Sequence, residues 1–145
     1  MDYRKQVIER LRNLQEERAA LVNLPEQIKA LEMQFVSLRA VRTDSDPVSG
    51  GTNRREDALI NNIAEREERE ADLEWTRREV AILERNIAAL KPNERRALEL
   101  FYISGERQAA ERMAEEVGYS VQQVHRIKTA AVENLARRLY GWVKI

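Results

Sequence analysis

Apolar residues recur at spacings of three and four along the first part of the chain, a pattern typical of amphipathic helices. The first stripe consists of Val7, Leu11, Leu14 and Leu21, with Arg18 at the position that the repeat skips. It predicts a helix from about residue 2 to 23. Pro25 lacks a backbone N–H and biases Leu24 away from helical dihedrals, so this helix should stop or kink there. A helix from about 25 to 42 is predicted by a second stripe, which consists of Ile28, Leu31, Phe35 and Leu38.

The pattern is lost over residues 43–55, where Asp, Ser, Gly, Pro and Asn accumulate, so this segment is predicted to be a flexible loop. Helical composition resumes at Glu56 and persists to Leu90. The middle of this third helix, residues 65–70, carries charge on all faces, and opposite charges three and four residues apart can support it. Its apolar stripe consists of Leu59, Ile63, Leu73, Val80, Leu83, Ile87 and Leu90.

These helices need partners because a helix with one apolar stripe cannot bury that stripe alone. The simplest arrangement is an antiparallel coiled-coil hairpin over residues 1–90, in which the first two helices fold against the third. An intermolecular coiled coil that forms a homodimer is the alternative. With only 5 Gly and 3 Pro and abundant Ala, Leu, Glu and Arg, the composition favours an all-α chain.

Residues 91–145 are predicted to form a second domain with a helix-turn-helix. Pro92 suits the first turn of a new helix and pushes Lys91 out of the helical region. A following helix over about 107–117 ends at Gly118, a left-handed C-cap. Ser120 and Gln123 then form a capping box, so the third helix starts at Val121. Its core face consists of Val124, Ile127, Ala131, Val132 and Leu135.

The packing between the last two helices decides which side chains face outward. Tyr119, Val124 and Ile127 are expected to fill the space between them, opposite Met113 and Val117, with Ala114 at the closest approach. Leu98, Phe101 and Tyr102 are expected in the core. Trp75 and Trp142 are expected to serve packing or an interface.

Outward-facing polar residues on the third helix are the candidate DNA readers. Gln122 and Gln123 can pair with adenine and Arg126 with guanine in the major groove, while Thr129 and Lys128 suit phosphates or methyl groups. His125 lies with Lys128 at the flank of this face, and no acidic residue lies three or four positions from Arg126. Arg137 and Arg138, about two turns further on, could reach backbone phosphates or solvate the helix C-terminus.

Charge and composition narrow the function further. The net charge is zero, but residues 1–90 sum to −3 and residues 91–145 to +3. The absence of Cys and the single His exclude disulfides, thiol catalysis and the common zinc sites, so no metal or cofactor is expected. We find no phosphate-binding loop and no nucleophile paired with a base, so an enzyme is not expected. No apolar run could span a bilayer and no signal peptide begins the chain, so a cytoplasmic protein without a membrane partner is expected.

Three runs of this domain resemble region 4 of bacterial sigma factors. They are Leu90–Tyr102, Met113–Ser120 and Val124–Leu135. They are similar to a leucine-x-proline-x-glutamate-arginine opening, an alanine-glutamate-glutamate-x-glycine-x-serine turn, and a recognition helix ending in alanine-x-x-x-leucine. With a charged coiled coil before it, the whole layout resembles the phage and prophage late-gene transcription regulators of the ArpU/RinA type.

The resemblance implies a double-stranded DNA partner, because the sigma module reads the −35 promoter element. It also implies RNA polymerase as a candidate partner, through the β-flap on which that module docks. The positions that match the DNA-reading residues are Val121, Gln122, His125 and Arg126, although Val121 departs from the usual polar or basic residue. The complete candidate site is Ser120, Val121, Gln122, Gln123, His125, Arg126, Lys128, Thr129, Arg137 and Arg138.

Two functions remain open from the sequence. The first is a DNA-binding transcriptional regulator, and since residues 1–89 lack a counterpart of the polymerase-core-binding region, an accessory activator is favoured over an autonomous sigma factor. The second is a coiled-coil adaptor or sigma-region mimic that binds polymerase or another regulator without reading DNA. The large coiled-coil fraction and the modest basic charge support this alternative.

Overall fold

The computed structural model describes residues 2–41 and 49–142, and side chains over 2–40 and 53–142. The described residues form helices and no strands, which confirms the all-α fold class. The five α-helices are α1 (Tyr3–Val41), α2 (Ser49–Ala88), α3 (Pro92–Leu98), α4 (Ala109–Val117) and α5 (Val121–Tyr140), and a π-helix (Glu99–Ile103) follows α3 directly. None of the described helices has both the length and the hydropathy needed to cross a bilayer.

The predicted end of the first helix at Pro25 is wrong, because α1 runs through it without ending. A proline inside a helix costs roughly 3 kcal/mol through its missing hydrogen bond and its ring clash. Leu24, just before Pro25, is half-buried, and Ile28, three residues after it, is buried. The buried apolar stripe therefore continues past Pro25, and this packing offsets the local cost.

The loop predicted over 43–55 is also wrong in its described part. α2 begins at Ser49, so residues 49–55 are helical, while residues 42–48 lie outside the described residues. Gly50 and Gly51 fall at the start of α2, where the first N–H groups have no partner within the helix in any case. The turn-forming residues from Ser49 onwards therefore lie at the start of a helix.

The chain divides into two compact units. Unit 1 comprises residues up to Arg18 together with those from Glu79 onwards, and unit 2 is Ala19–Arg78. The first turns of α1 and the last turns of α2 thus belong to the same compact body as α3, the π-helix, α4 and α5.

In unit 2 the packed face of α2 passes through Asn62 and not through Ile63 of the predicted stripe. Ile63 is 39% exposed, whereas Asn62 is 4% exposed. The Asn62 side-chain amide donates to the Leu31 carbonyl at 2.9 Å and to Gln34 Oε1 at 3.2 Å. These bonds compensate the burial of a polar group, so Asn62 takes the place that apolarity alone would assign to Ile63.

The charged middle of α2 is not solvated on every face. The Arg66 guanidinium lies 4.9 Å from the centre of the Phe35 ring, and Arg66 and Arg69 are half-buried. Pairing within the helix occurs as predicted, between Glu65 and Arg69 at 3.9 Å. We call the resulting set of packed positions on α2 the seam. It consists of Leu59, Asn62, Arg66, Arg69, Leu73, Thr76, Val80, Leu83 and Ile87, which alternate at spacings of three and four, and Leu90 continues this spacing just beyond the end of α2.

In unit 1 the beginning of α1 contributes to the core. Its fully buried residues are Val7, Leu11 and Leu14, and those of the other elements include Leu83, Leu98, Leu100, Met113, Val124 and Leu135. Ion pairs edge this core, with Arg10 and Glu79 3.1 Å apart and Arg18 and Glu84 2.7 Å apart. Burial raises the pKa of the nearby Glu17 carboxyl, and the Arg10 charge opposes that shift only in part. The amino-terminal turns therefore belong to the framework on which α3 to α5 are mounted.

Candidate nucleic-acid interface

The turn between α4 and α5 has the predicted conformation. Gly118 has φ of 74° and ψ of 21°, which is left-handed, and its N–H donates to the Ala114 carbonyl at 2.9 Å. This geometry caps the last turn of α4 and suits glycine because a Cβ is strained at positive φ. The predicted left-handed C-cap is confirmed.

The start of α5 is fixed by a reciprocal pair of hydrogen bonds. The Gln123 N–H donates to Ser120 Oγ at 3.1 Å, and the Ser120 N–H donates to Gln123 Oε1 at 3.3 Å. The predicted capping box and the first helical residue, Val121, are confirmed. One lone pair of the Gln123 side-chain oxygen is therefore used by the cap. Val121 itself is 39% exposed.

One buried cluster aligns α5 on α4 and on the elements before it. Its buried members are Ala97, Leu100, Ala109, Ala110, Met113 and Val124, against which Phe101, Ala114, Val117 and Ile127 pack with partial burial. The predicted inward face of α5 is confirmed. Tyr119 is an exception, because it is 41% exposed and lines an open groove with Pro92 and Ile127 instead of filling the space between the helices.

The opposite side of α5 is exposed at Gln122, Arg126 and Thr129, as predicted. With His125, these residues line a shallow groove of about 430 Å³ whose other walls are Ala130 and Glu133. Within the part of the chain that the structure describes, no hydrogen bond or ion pair engages the side chain of Gln122 or of Arg126. The Thr129 hydroxyl donates to the His125 carbonyl at 3.0 Å and keeps its acceptor capacity.

His125 and Lys128 are held together on the Phe101 ring. The Lys128 ammonium lies 5.0 Å from the centre of the Phe101 ring and 3.3 Å from His125 Nδ1. The ring centres of Phe101 and His125 are 5.7 Å apart in an edge-on arrangement. An ammonium can only donate, so in this contact Nδ1 accepts and Nε2 carries the ring hydrogen. His125 therefore presents a donor from a position fixed by packing.

Phe101 and Tyr102 are half-buried, so their predicted place inside the core is only partly correct. Both lie on the π-helix, and Phe101 packs against the edge of the buried cluster. Burial raises the pKa of the Tyr102 hydroxyl, and Arg12, 5.8 Å from the ring centre, acts in the opposite direction. Phe101 thus serves as a platform under α5 as well as a packing residue.

Arg137 and Arg138 make contacts within unit 1. The Arg138 Nε donates to Asn86 Oδ1 at 3.2 Å, and the Arg137 guanidinium lies 4.8 Å from the Trp142 ring centre. Trp142 itself is 88% exposed. Arg137 lies about one turn beyond Glu133, the last residue that lines the exposed groove, and about four turns beyond Gln122, the first.

One polar connection escapes sequence analysis because its partners are 20 residues apart in the chain. Arg96 forms two hydrogen bonds with Glu116, of 2.9 and 2.7 Å, which join α3 to α4. These bonds lower the pKa of the Glu116 carboxyl and raise that of Arg96. Arg112 pairs with Glu116 at 3.4 Å and also with Glu106, which extends the network along α4.

No cluster of metal-ligating side chains occurs among the described residues. Comparison with known proteins adds nothing to the geometry, since no family model, curated protein or solved structure matches the chain.

Proposed function

We propose that this chain is a sequence-specific, double-stranded DNA-binding transcriptional regulator, and that α5 is its recognition helix. One observation carries the proposal: a capped helix buries Val124 on one side and exposes Gln122, His125 and Arg126, the last without an ion pair among the described residues, on the other. A helix presented in this way after a tight turn fits the width of the major groove. A phage or prophage regulator of the ArpU/RinA type is the accompanying proposal, and it rests on the resemblance alone.

Each exposed residue has a chemical role in this proposal. Arg126 pairs with the two acceptors of guanine, and Gln122 with the acceptor and donor of adenine. His125 donates from Nε2 to a base or phosphate oxygen, while Lys128 and Thr129 contact the backbone. Gln123 keeps the helix start in place, and Arg137 and Arg138 contribute positive charge beyond the groove.

The amino-terminal helices are proposed to form an antiparallel coiled-coil hairpin. The alternating three-and-four spacing of the seam supports it, as do the Arg10–Glu79 pair in unit 1 and the Asn62–Leu31 hydrogen bond in unit 2. In this proposal the hairpin is the scaffold, and its first and last turns complete the core beneath α5.

Selection of binding sites from a random double-stranded DNA library tests the function. The purified full chain is expected to enrich a defined sequence, and its affinity for that site should fall steeply with added salt because neutralised phosphates release counterions. Failure to enrich any sequence would contradict sequence-specific binding.

Replacement of Arg126 tests its role as a base reader. Arg126→Ala should weaken binding to the selected site by about 1–3 kcal/mol and relax the preference at one base pair. Arg107→Ala is the matched control, since Arg107 is an equally exposed arginine that lies outside α5. If Arg126→Ala weakens binding to all sequences equally, Arg126 contacts a phosphate and not a base.

The adaptor remains a second candidate because α4 exposes Glu111 and Glu115. The first helix of a helix-turn-helix crosses the DNA backbone, where carboxylates repel phosphates. Under this alternative the chain binds RNA polymerase or another regulator and does not bind DNA. Capture of polymerase by a Gln122→Ala, Arg126→Ala variant as efficiently as by the parent, with no DNA bound by either, would select it.

A further inference from the structure

A second line of residues runs along α1 of unit 2, on the side away from its packed positions. This line, which we call the outer stripe, consists of Ala19, Val22, Glu26, Lys29, Met33 and Val36, at spacings of three, four, three, four and three. All six residues are exposed. The packed positions of the same segment, such as Ile28 and Leu31, lie roughly half a turn away around the helix.

Three apolar side chains of the outer stripe are largely exposed to solvent. Val22, Met33 and Val36 are 61%, 64% and 66% exposed. Isolated apolar residues on a surface are ordinary, but these three share one helix face, with Val22 near one end of the outer stripe and Met33 and Val36 at the other. The charged Glu26 and Lys29 lie between them. Apolar side chains grouped on one face favour an interaction surface.

The order of residues along the outer stripe is self-complementary. Reversal about the point between residues 27 and 28 exchanges Val22 with Met33, Glu26 with Lys29, and Ala19 with Val36. We propose that the outer stripe binds the outer stripe of a second copy of this chain, with the two α1 helices antiparallel around a twofold axis. A twofold interface requires this property, because each copy presents the same surface.

The charges select the antiparallel direction. In that arrangement each Glu26 faces Lys29 of the second copy, and each Val22 packs on Met33. A parallel arrangement would place Glu26 against Glu26 and Lys29 against Lys29, which is repulsive. Among the described residues neither the Glu26 nor the Lys29 side chain forms an ion pair or a hydrogen bond, so both charges are available to a partner.

The size of the outer stripe sets the strength of the contact. From Ala19 to Val36 it is about 25 Å long, at 1.5 Å per residue. One helix face of this length corresponds to the low end of interface areas, where complexes are weak or transient. The dimer should therefore form reversibly over a range of concentration.

Measurement of the mass in solution tests whether the outer stripe mediates dimer formation. The mass of the full chain, 16.9 kDa, should double as the concentration rises. Met33→Glu should keep the chain monomeric at concentrations at which the parent is dimeric. Ile60→Glu is the matched control, because Ile60 is 62% exposed in the same unit but lies on α2, and it should behave as the parent does. A chain that is monomeric throughout, or a dimer that survives Met33→Glu, would overturn the proposal.

Charge reversal tests the pairing. Glu26→Lys and Lys29→Glu should each weaken the dimer severalfold, because each places like charges opposite one another. The doubly reversed variant should recover most of the parent affinity, since it restores both pairs. A double variant as weak as the single ones would overturn the assignment of this pair.

Disulfide trapping tests whether the two α1 helices run antiparallel. The chain contains no Cys, so only the introduced cysteines can form a disulfide. An equimolar mixture of Val22→Cys and Met33→Cys variants should form the mixed disulfide under mild oxidation. Preferential linking of identical variants would indicate a parallel dimer and overturn the antiparallel one. None of these measurements involves DNA, so they stand independently of the proposed function.

Discussion

The side-chain amide of Asn134 donates a hydrogen bond of 2.7 Å to the carboxylate of Glu94, and so joins α5 to the first turn of α3. Glu94 is only 7% exposed. A buried carboxylate needs hydrogen-bond partners to replace water, so this contact helps to hold α5 against α3.

Removal of the donor should destabilise unit 1. Asn134→Ala leaves the Glu94 carboxylate buried without this hydrogen bond, which should lower the free energy of unfolding by about 1–3 kcal/mol. Denaturant unfolding followed by circular dichroism measures the change. Asn93→Ala, at the neighbouring and half-buried position, is the control and should have a smaller effect. Equal stability of the Asn134 variant and the parent would show that water replaces the amide.

Substitution of Gly118 measures the cost of backbone strain without a steric clash. A Cβ at Gly118 would meet no atom within 4 Å, so the cost of Gly118→Ala is conformational. We expect a loss of about 1–2 kcal/mol in the free energy of unfolding. Gly118→Asn should cost less, because asparagine adopts left-handed backbone more readily. The opposite order of the two variants would contradict this account.

Asn62 should limit the stability of unit 2. Its Oδ1 atom is buried without a hydrogen-bond partner among the described residues, and a polar residue at such a position generally trades stability for a fixed register. Asn62→Leu should therefore raise the free energy of unfolding by about 1 kcal/mol. The control is Asn61→Leu, at the exposed neighbouring position, which should change it by less than about 0.5 kcal/mol. A lower stability of Asn62→Leu would show that its two hydrogen bonds outweigh the unpaired oxygen.

The Arg96–Glu116 pair should make stability depend on pH on the acid side. Arg96 lowers the pKa of Glu116 below its ordinary value of 4.5 in the folded state. The stabilisation is therefore complete above that value and is lost as the pH falls through the lowered pKa. Thermal unfolding between about pH 6 and pH 3 should show a shallower acid-side loss for Glu116→Gln than for the parent. Glu115→Gln, which changes an exposed neighbour, should follow the parent curve.

Signals between residues close in the chain were interpreted correctly from the sequence. Pro92 at the start of α3, Gly118 at the end of α4 and the Ser120–Gln123 box each involve atoms within four residues. The end of the first helix was predicted wrongly at Pro25, because a local rule cannot weigh the burial of Leu24 and Ile28.

The candidate site was predictable only as far as helix periodicity extends. The burial of Val124 fixes the outward direction of Gln122 and Arg126, and that follows from 3.6 residues per turn. The support of His125 and Lys128 by Phe101 was not predictable, because Phe101 lies more than twenty residues earlier on a π-helix.

The sequence by itself determined that the chain is helical, that α4 ends before Gly118 and α5 starts at Val121, and which face of α5 is polar, because these properties depend on propensity, capping and spacing within a few residues. Only the tertiary structure decided that Glu94 pairs with Asn134 and Arg96 with Glu116. It also decided that Asn62 and not Ile63 is buried, and that the first turns of α1 share a core with α5. These relations join side chains that are distant in the chain, and the packing of whole helices selects among many partners that local sequence leaves equivalent.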